Sequence, residues 1–247
     1  FEPAYMTAVG MACDFVGHPI VSAPAVTDTD MAQFTHTYAI NGKTLAVLPG
    51  SRRGEVTRMM EVFCEVLSDD RFAPYDLLFP TLPHLLPVLQ PYFARLTQRV
   101  IPIAGDGMGA DAAAHLRQTA LSRADVALAA SGTISLELAR ARTPMVIAYD
   151  MNWLSRQIIS RMLKTDTVTL VNLVSETRAV PEYIGARCKP TTIADGLAQV
   201  IADPHTQSAA MDVTLKRLGQ GGAPPGHRAA QAVLAGLDPN GPAKAGA

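Results

Sequence analysis

Charged residues are scarce in this sequence, and so are cysteines and long apolar runs. Only 17% of the 247 residues carry a charge, and 21 basic against 22 acidic side chains leave a formal net charge of −1. This balance argues against a strongly basic nucleic-acid-binding protein and against a long acidic tail, since each needs a large excess of one sign. The three cysteines, Cys13, Cys64 and Cys188, are widely separated and match no metal-ligand spacing. They predict buried thiols in a reducing compartment rather than a disulfide framework.

Several functional patterns are missing as well. No apolar run approaches the roughly 18 residues that a helix needs to span a bilayer, so we expect no transmembrane helix. The six histidines are scattered without a companion at metal-binding spacing, and no metal site is predicted. Neither the Gly-x-x-x-x-Gly-Lys-Ser/Thr motif of P-loop ATPases nor the Gly-x-Ser-x-Gly elbow of α/β-hydrolases occurs. The chain opens Phe1-Glu2-Pro3, with neither an initiator methionine nor a signal-peptide pattern.

What the sequence does contain is a regular alternation of short apolar strands and helices. Apolar residues at helical spacing, such as Val56, Met59 and Phe63, mark the buried stripes of the helices. The predicted strands are 44–48, 75–79, 99–103, 125–130, 145–149 and 168–171, with a helix around Leu154, Ile158, Ile159 and Met162 before the last of them. This alternation predicts an α/β fold, a Rossmann-like doubly wound parallel sheet.

The chain divides into four parts by composition. Residues 1–42 contain four acidic side chains and no Lys or Arg, and they read as a loop-rich connecting segment rather than a folded unit. Residues 43–190 form the predicted Rossmann-like domain, and residues 191–237 contain only helical patterns. Residues 238–247 are rich in Pro, Gly and Ala, and we expect this tail to be disordered.

Ligands of an open parallel sheet bind beyond the carboxyl ends of its strands. The first candidate junction, Gly50-Ser51-Arg52, follows the first strand and precedes a helix. Glycine lets the backbone approach a ligand closely, a helix N-terminus attracts anions, and arginine can hold a phosphate with two hydrogen bonds. This junction therefore predicts a phosphate-binding loop. The neighbouring Arg53 is interpreted as a plain surface residue.

A second junction, Ser131-Gly132-Thr133, leads into a helix that contains Glu137. A carboxylate near the loop could accept hydrogen bonds from the vicinal hydroxyls of a ribose or sugar. A simpler interpretation stays open, in which Ser131 or Thr133 caps the helix and Glu137 lies on its solvated face.

The third junction contains Asn172, which we expect at the end of a buried strand and in front of a loop. A side-chain amide there can both donate and accept hydrogen bonds, although a turn asparagine is the simpler alternative. Tyr149 also falls at a predicted strand end, in the same cleft as the other candidates.

Taken in order, these segments resemble the lipid-A-disaccharide synthases, glycosyltransferases of the type built from two Rossmann-like domains (GT-B). The resemblance covers nearly all of residues 1–237. It is carried by Phe-Val-Gly-His-Pro (15–19), Leu-Pro-Gly-Ser-Arg-Arg-Gly-Glu-Val (48–56), Asp-Gly-Met-Gly (106–109), Ala-Ala-Ser-Gly-Thr-Ile-Ser-Leu-Glu (129–137), Pro-Met-Val-Ile-Ala-Tyr (144–149), Lys-Thr-Asp (164–166) and Val-Asn-Leu-Val (171–174). Where the family often has proline before its asparagine, this chain has Val171.

The resemblance implies a specific reaction. Such enzymes transfer 2,3-diacylglucosamine from its UDP conjugate, UDP-2,3-diacylglucosamine, onto 2,3-diacylglucosamine-1-phosphate (lipid X), with inversion at the anomeric carbon, and release UDP. No metal or organic cofactor and no nucleic acid are expected. The implied location is the cytoplasm of a Gram-negative bacterium, peripheral to the inner membrane, and family members are reported to form homodimers through C-terminal elements.

The resemblance also implies roles for the candidate residues. Arg52 would stabilise the leaving diphosphate, and Asn172 matches an essential asparagine of the family near the donor. The UDP-sugar would further contact Gly50, Ser51, Ser131, Gly132, Thr133, Glu137 and Tyr149.

Part of the expected enzyme has no counterpart in these residues. The family's N-terminal domain supplies the proposed general base and the apolar surface that faces the membrane. We therefore expect this chain to be the donor-binding part and to be inactive alone. Two other hypotheses stay open: a different UDP-sugar enzyme of the same fold, such as a UDP-N-acetylglucosamine 2-epimerase or a peptidoglycan glycosyltransferase, and a non-catalytic module for nucleotide binding or dimerisation.

Overall fold

A computed structural model describes residues 2–150 and 166–237 of the chain. Six strands are described, β1 to β6: Lys43–Leu48, Tyr75–Pro80, Val100–Ile103, Val126–Ala130, Met145–Tyr149 and Glu182–Ile184. The described α-helices, α1 to α10, are Glu2–Ala8, Asp28–Thr37, Arg53–Leu67, Leu86–Phe93, Ala110–Arg123, Ile134–Ala141, Leu170–Ser175, Pro190–Ala202, Ser208–Arg217 and Pro225–Leu237.

The strands form one parallel sheet in the order β3-β2-β1-β4-β5-β6. β2 and β3 follow one another on one side of β1, whereas β4, β5 and β6 follow one another on its other side. The strand order therefore reverses between β1 and β4. Open α/β sheets bind ligands at such a reversal, in the crevice outside the carboxyl ends of the strands.

Both faces of the sheet are covered, which explains the continuous apolar strands of the sequence. Leu45, Val47 and Leu77 point into one hydrophobic cluster together with buried side chains of α3, α4 and α8. Ala46, Leu48 and others alternate into a second cluster, which α2, α5, α6, α7 and α9 complete. These two layers hold the strand ends, and hence the loops that follow them, in fixed positions.

Five of the six predicted strands are confirmed within a residue or two of their expected bounds. The sixth was wrong, because residues 170–175 form helix α7, and the last strand is Glu182–Ile184. The β-branched run over 167–171 resembles a strand locally, but the segment packs as a helix against α9 and α6. The helix predicted around Leu154 and the tail 238–247 lie outside the described residues.

Residues 1–42 are more structured than a loop-rich connector. They include α1 and α2, and α2 begins with a capping box in which the Thr27 hydroxyl accepts from the Asp30 N–H and the Asp30 carboxylate accepts from the Thr27 N–H. Phe34 and Ile40 are buried in the second hydrophobic cluster. The segment thus contains two helices within a loop-rich stretch, and its role as a connecting segment stays a prediction.

The helical patterns predicted for residues 191–237 are present as α8, α9 and α10. Ile193 and Leu197 of α8 are buried in the first cluster, and Met211 of α9 is buried in the second. By contrast, Val233, Leu234 and Leu237 of α10 are exposed. Among the helices of the described ranges, none is both long enough and apolar enough to cross a membrane.

Candidate functional site

A pocket of about 360 Å³ lies at the carboxyl edge of the sheet, where the strand order reverses. Its size falls within the range typical of small-molecule sites. The loops after β1, β2 and β4 and residues of α3, α5 and α6 form its walls. The lining residues are Leu48, Gly50, Ser51, Arg52, Glu55, Pro80, Thr81, Leu82, Arg117, Ala130, Ser131, Gly132, Thr133, Ile134 and Glu137.

The loop after β1 contributes a tight turn to the pocket. Gly50 has φ +126°, a backbone conformation that side chains with a Cβ rarely adopt, and a Cβ there would lie 2.3 Å from Oε2 of Glu55. The Ser51 N–H donates to that same carboxylate oxygen at 3.0 Å. This amide is thus engaged by a carboxylate of the protein itself, and the binding of an anion by this loop stays a prediction.

Arg52 stands at the N-cap position of α3 and lines the pocket. Across the described residues, its guanidinium makes neither an ion pair nor a hydrogen bond. Its charge and all its donors are therefore available to a ligand. Arg53, interpreted as a surface residue, lines a different cavity between α3 and α4.

The loop after β4 brings a second helix N-terminus to the same pocket. Gly132 has φ +143°, again a conformation that favours glycine. Thr133 is the N-cap residue of α6, yet no side chain caps this helix by a hydrogen bond. The simpler interpretation, in which Ser131 or Thr133 serves as a cap, is therefore not observed. The first N–H groups of α6 are left for a ligand or for water.

Glu137 lies one turn into α6, on the wall of the pocket, where it pairs with an arginine that the sequence had not singled out. Oε2 of Glu137 accepts from Nε of Arg117 at 2.7 Å, and Nη1 of Arg117 donates to the Pro80 carbonyl at 3.1 Å. Arg117 lies on α5, 20 residues before Glu137. No local pattern could have linked the two, because only the packing of α5 beside α6 brings them together.

Asn172 is not at a strand end and does not line the pocket. It lies in α7 and is 1% exposed. Nδ2 donates to the Val180 carbonyl at 2.9 Å and to Oε1 of Glu182 at 3.1 Å, and Oδ1 accepts from the Val180 N–H at 3.0 Å. The predicted strand-end position was wrong, and the amide is engaged within the protein.

Glu182, at the start of β6, is the centre of this polar cluster. Besides Asn172, its carboxylate accepts from the Thr167 hydroxyl and from the N–H groups of Val168 and Thr169. Desolvation by burial raises the pKa of this carboxyl, but the hydrogen bonds from Thr167, Thr169 and Val168 outweigh it, and the net pKa lies below the ordinary glutamate value. The cluster fixes the chain where it leads into α7.

Replacing Glu182 by glutamine is expected to lower the free energy of unfolding by about 1–2 kcal/mol near neutral pH, since a charged acceptor of several donors is lost. Because the folded-state pKa is lowered, this contribution is full above the unfolded-state pKa and disappears as the pH falls through the folded-state value. Urea denaturation of both proteins at several pH values would test this. The gap between them should narrow in acid, and a gap independent of pH would contradict the assignment.

Tyr149 ends β5 and packs beside the first hydrophobic cluster. It is half-buried and does not line the pocket. Of the nine candidate residues, seven thus surround one cavity, while Tyr149 and Asn172 lie elsewhere in the described structure. Their proposed contacts with a ligand stay predictions.

Metal and thiol chemistry receive no support from the described part of the chain. No group of three or more His, Cys, Asp or Glu side chains there could hold a metal ion. Of the three cysteines only Cys64 is buried, whereas Cys13 and Cys188 are partly exposed, so the prediction of buried thiols was wrong for these two. Burial raises the pKa of the Cys64 thiol, which keeps it protonated and unreactive.

Solved structures of glycosyltransferases share this fold. E. coli ADP-heptose LPS heptosyltransferase II matches with a TM-score of 0.54 at 9% identity, over 74% of this chain and 54% of that one. WaaG, a glycosyltransferase involved in lipopolysaccharide biosynthesis, matches with a TM-score of 0.50 at 10% identity, over 83% of this chain and 51% of that one. The chain therefore has the Rossmann-like fold of GT-B glycosyltransferases.

Sequence relatives narrow the class to one family. The family model described as lipid-A-disaccharide synthetase (LpxB) matches residues 1–235, and the chain belongs to this family. The lipid-A-disaccharide synthase of Ruegeria pomeroyi is 50% identical over 95% of this chain and 59% of its own length. That of Rhodospirillum centenum is 36% identical over 95% of this chain and 58% of its own. The chain thus spans about three fifths of the length of these relatives.

Proposed function

We propose that this chain is the donor-binding part of a lipid-A-disaccharide synthase and that the pocket between β1 and β4 binds the UDP portion of the nucleotide sugar. The donor would be UDP-2,3-diacylglucosamine and the acceptor lipid X, as the family resemblance implies. The proposal rests on the family membership for the reaction and on the geometry of the pocket for the binding site.

The observation that carries the proposal is the position of Arg52. This cation makes no ion pair with any described residue, and it stands in a pocket where two helices, α3 and α6, present their N-termini. Helix N-termini carry a partial positive charge, and their free N–H groups point toward an anion. A diphosphate matches such a pocket better than a neutral sugar does, because its charged oxygens can accept hydrogen bonds from the Arg52 guanidinium and from the N–H groups at the start of α6.

The proposed roles follow from the reaction. The acceptor 6-hydroxyl oxygen forms a bond to the anomeric carbon, and the bond between that carbon and the diphosphate oxygen breaks. The hydroxyl proton passes to a general base, which the resemblance assigns to the family's N-terminal domain. Arg52 and the N–H groups at the start of α6 would stabilise the charge that develops on UDP as it leaves. Glu137 would accept hydrogen bonds from ribose hydroxyls.

Two further proposals concern where the protein acts and how it assembles. Acylated substrates reside in membranes, so we propose a location in the cytoplasm at the inner membrane, with membrane contact outside the surfaces described above. We also propose a homodimer through C-terminal elements. The exposed Val233, Leu234 and Leu237 of α10 support it, and the mass in solution by light scattering would test it.

Calorimetric titration with UDP tests the proposed site directly. We expect saturable binding of UDP to the folded chain, stronger than that of UMP, and weakest for uridine, because each phosphate adds an interaction with the two helix N-termini. Far-UV circular dichroism confirms that the protein is folded in the same buffer. Undetectable binding at millimolar UDP would contradict the proposal, as would equal affinities for UDP and uridine.

A further inference from the structure

We propose that Arg117 is a positioning residue for nucleotide recognition, which fixes the Glu137 carboxylate so that it can accept hydrogen bonds from the ribose hydroxyls of the donor. This inference rests on the proposed function, since it takes the pocket as the site of the nucleotide. Arg117 was not among the residues that the sequence motifs single out. Its role follows from three contacts that join α5, α6 and the end of β2.

The first contact is the ion pair itself. Nε of Arg117 donates to Oε2 of Glu137 at 2.7 Å. Within the described part of the chain, Oε1 accepts no hydrogen bond. One oxygen of the carboxylate is therefore held and the other is left for a ligand. A carboxylate tethered in this way keeps its acceptor in one place, whereas a free glutamate would have to lose side-chain entropy on binding.

The second and third contacts hold the arginine and the helix in place. Nη1 of Arg117 donates to the Pro80 carbonyl at the end of β2, at 3.1 Å. The neighbouring Gln118 donates from Nε2 to the Glu137 carbonyl at 3.4 Å. Arg117 thus bridges the end of β2 and Glu137, while the side chain of Gln118 connects α5 to the backbone of α6 at the same position. The guanidinium plane is fixed at two points before any ligand arrives.

The ion pair with Arg117 also offsets the negative charge of Glu137 inside the pocket. The pocket that would receive a diphosphate also contains the carboxylates of Glu55 and Glu137. The Ser51 N–H donates to the first, and Arg117 pairs with the second. An unpaired Glu137 would repel the phosphates across a small cavity, because electrostatic interactions there are screened less than in water. Pairing with Arg117 reduces this repulsion and leaves the charge of Arg52 for the ligand.

The side chains of this pair are partly exposed, 34% for Arg117 and 28% for Glu137. Exposed and partly exposed ion pairs contribute little to folding stability. We therefore expect that Arg117 can be replaced without unfolding the protein, and that the effect of the replacement falls on ligand binding. Arg117→Met keeps the apolar stem of the side chain and removes both hydrogen bonds.

The experiment compares two ligands, UDP and 2′,3′-dideoxy-UDP, by calorimetry on the wild type, Arg117→Met, Arg117→Lys and Glu137→Gln. We expect Arg117→Met to weaken UDP about fivefold to tenfold and 2′,3′-dideoxy-UDP by less than about threefold, since the unmasked charge of Glu137 repels the diphosphate of both ligands but only UDP offers hydroxyls to the positioned carboxylate. Arg117→Lys should not restore UDP binding, because lysine cannot donate in the planar two-pronged geometry of arginine. Glu137→Gln should likewise weaken UDP more than 2′,3′-dideoxy-UDP. The double variant Arg117→Met/Glu137→Gln should lose no more affinity for UDP than Glu137→Gln alone.

The alternatives give different results. Equal weakening of both ligands by Arg117→Met, with recovery in Arg117→Lys, would mean that Arg117 contacts the diphosphate, and it would overturn the inference. An unchanged affinity of Arg117→Met for UDP would overturn it as well. Neither result would affect the proposed function, which depends on UDP binding to the wild type. If the folded wild type fails to bind UDP, the proposed function and this inference are both wrong.

Discussion

Replacing Asn172 by alanine will lower the free energy of unfolding by about 3 kcal/mol, because it leaves several buried polar groups without partners. The side-chain amide satisfies both the N–H and the carbonyl of Val180 and adds a fourth donor to the Glu182 carboxylate. When a buried donor or acceptor loses its partner, its desolvation penalty is no longer offset in the folded state, since no water replaces the lost hydrogen bond. Chemical denaturation with urea measures the change.

Two comparisons make this experiment specific to the buried amide. Asn41 is an exposed asparagine with one long hydrogen bond to the Ala39 carbonyl, so Asn41→Ala should change the unfolding free energy by less than about 0.5 kcal/mol. Asn172→Asp places a second carboxylate beside Glu182 and removes the donor. It should therefore be at least as unstable as the alanine variant at neutral pH and should recover part of the loss in acid, where a carboxyl is protonated.

The outcome decides how the asparagine matters to the family's reaction. If Asn172→Ala is as stable as the wild type but no longer binds UDP, the residue contacts the ligand and the structural interpretation is wrong. If stability falls while the remaining folded protein binds UDP, Asn172 acts through the fold by holding α7 to β6. A loss of enzyme activity in such variants would then follow from misplaced backbone rather than from a missing catalytic group.

Replacing Arg52 by alanine will weaken UDP binding by about 30-fold or more, which corresponds to the roughly 2 kcal/mol or more that charge-assisted hydrogen bonds to a phosphate contribute. The guanidinium has no ion-pair or hydrogen-bond partner among the described residues, so its removal breaks no such bond in that part of the chain. The fold should consequently be unaffected, and the whole loss should appear in the dissociation constant. Calorimetry with UDP provides the measurement.

Arg53 supplies a matched control for this prediction. It is the next residue, carries the same charge and lines a different cavity with Thr57 and Glu61. Arg53→Ala changes the net charge by the same amount as Arg52→Ala, yet it should alter UDP affinity by less than about twofold, because Arg53 does not line the proposed nucleotide pocket and the remaining long-range attraction is screened by salt. Similar losses in both variants would show that general electrostatic attraction, and not a specific contact, binds the nucleotide.

Much of the fold could be predicted from the sequence, because strands, helices and turns are indicated by patterns of neighbouring residues. The strand Lys43–Leu48 is apolar throughout, since both faces of the sheet are covered, and the helix that follows has its apolar residues at helical spacing. The Gly-Ser-Arg and Ser-Gly-Thr turns were also visible, because turn glycines and helix starts depend on neighbouring residues. The convergence of these two turns on one pocket followed from the parallel topology alone.

Other features depended on contacts between distant parts of the chain. Leu170–Ser175 has the composition of a strand, but its packing against α9 and α6 makes it a helix, since burial outweighs local propensity. The partners of Asn172 lie 8 and 10 residues further along the chain, beyond α7. Arg117 and Glu137 lie on separate helices and meet only when the sheet sets α5 beside α6.

The few charged side chains of this sequence differ in whether the fold gives them partners. By itself the sequence determined the class of the protein: a near-neutral α/β chain with two glycine turns suited to phosphate and the motifs of one glycosyltransferase family. Only the tertiary structure decided which of its few charges are engaged. Arg117 forms a half-buried ion pair with Glu137, and the Glu182 carboxylate accepts a hydrogen bond from the buried Asn172 amide. Arg52, by contrast, has no partner among the described residues. Local patterns fix elements and turns, but the pairing of charges requires distances that only packing sets.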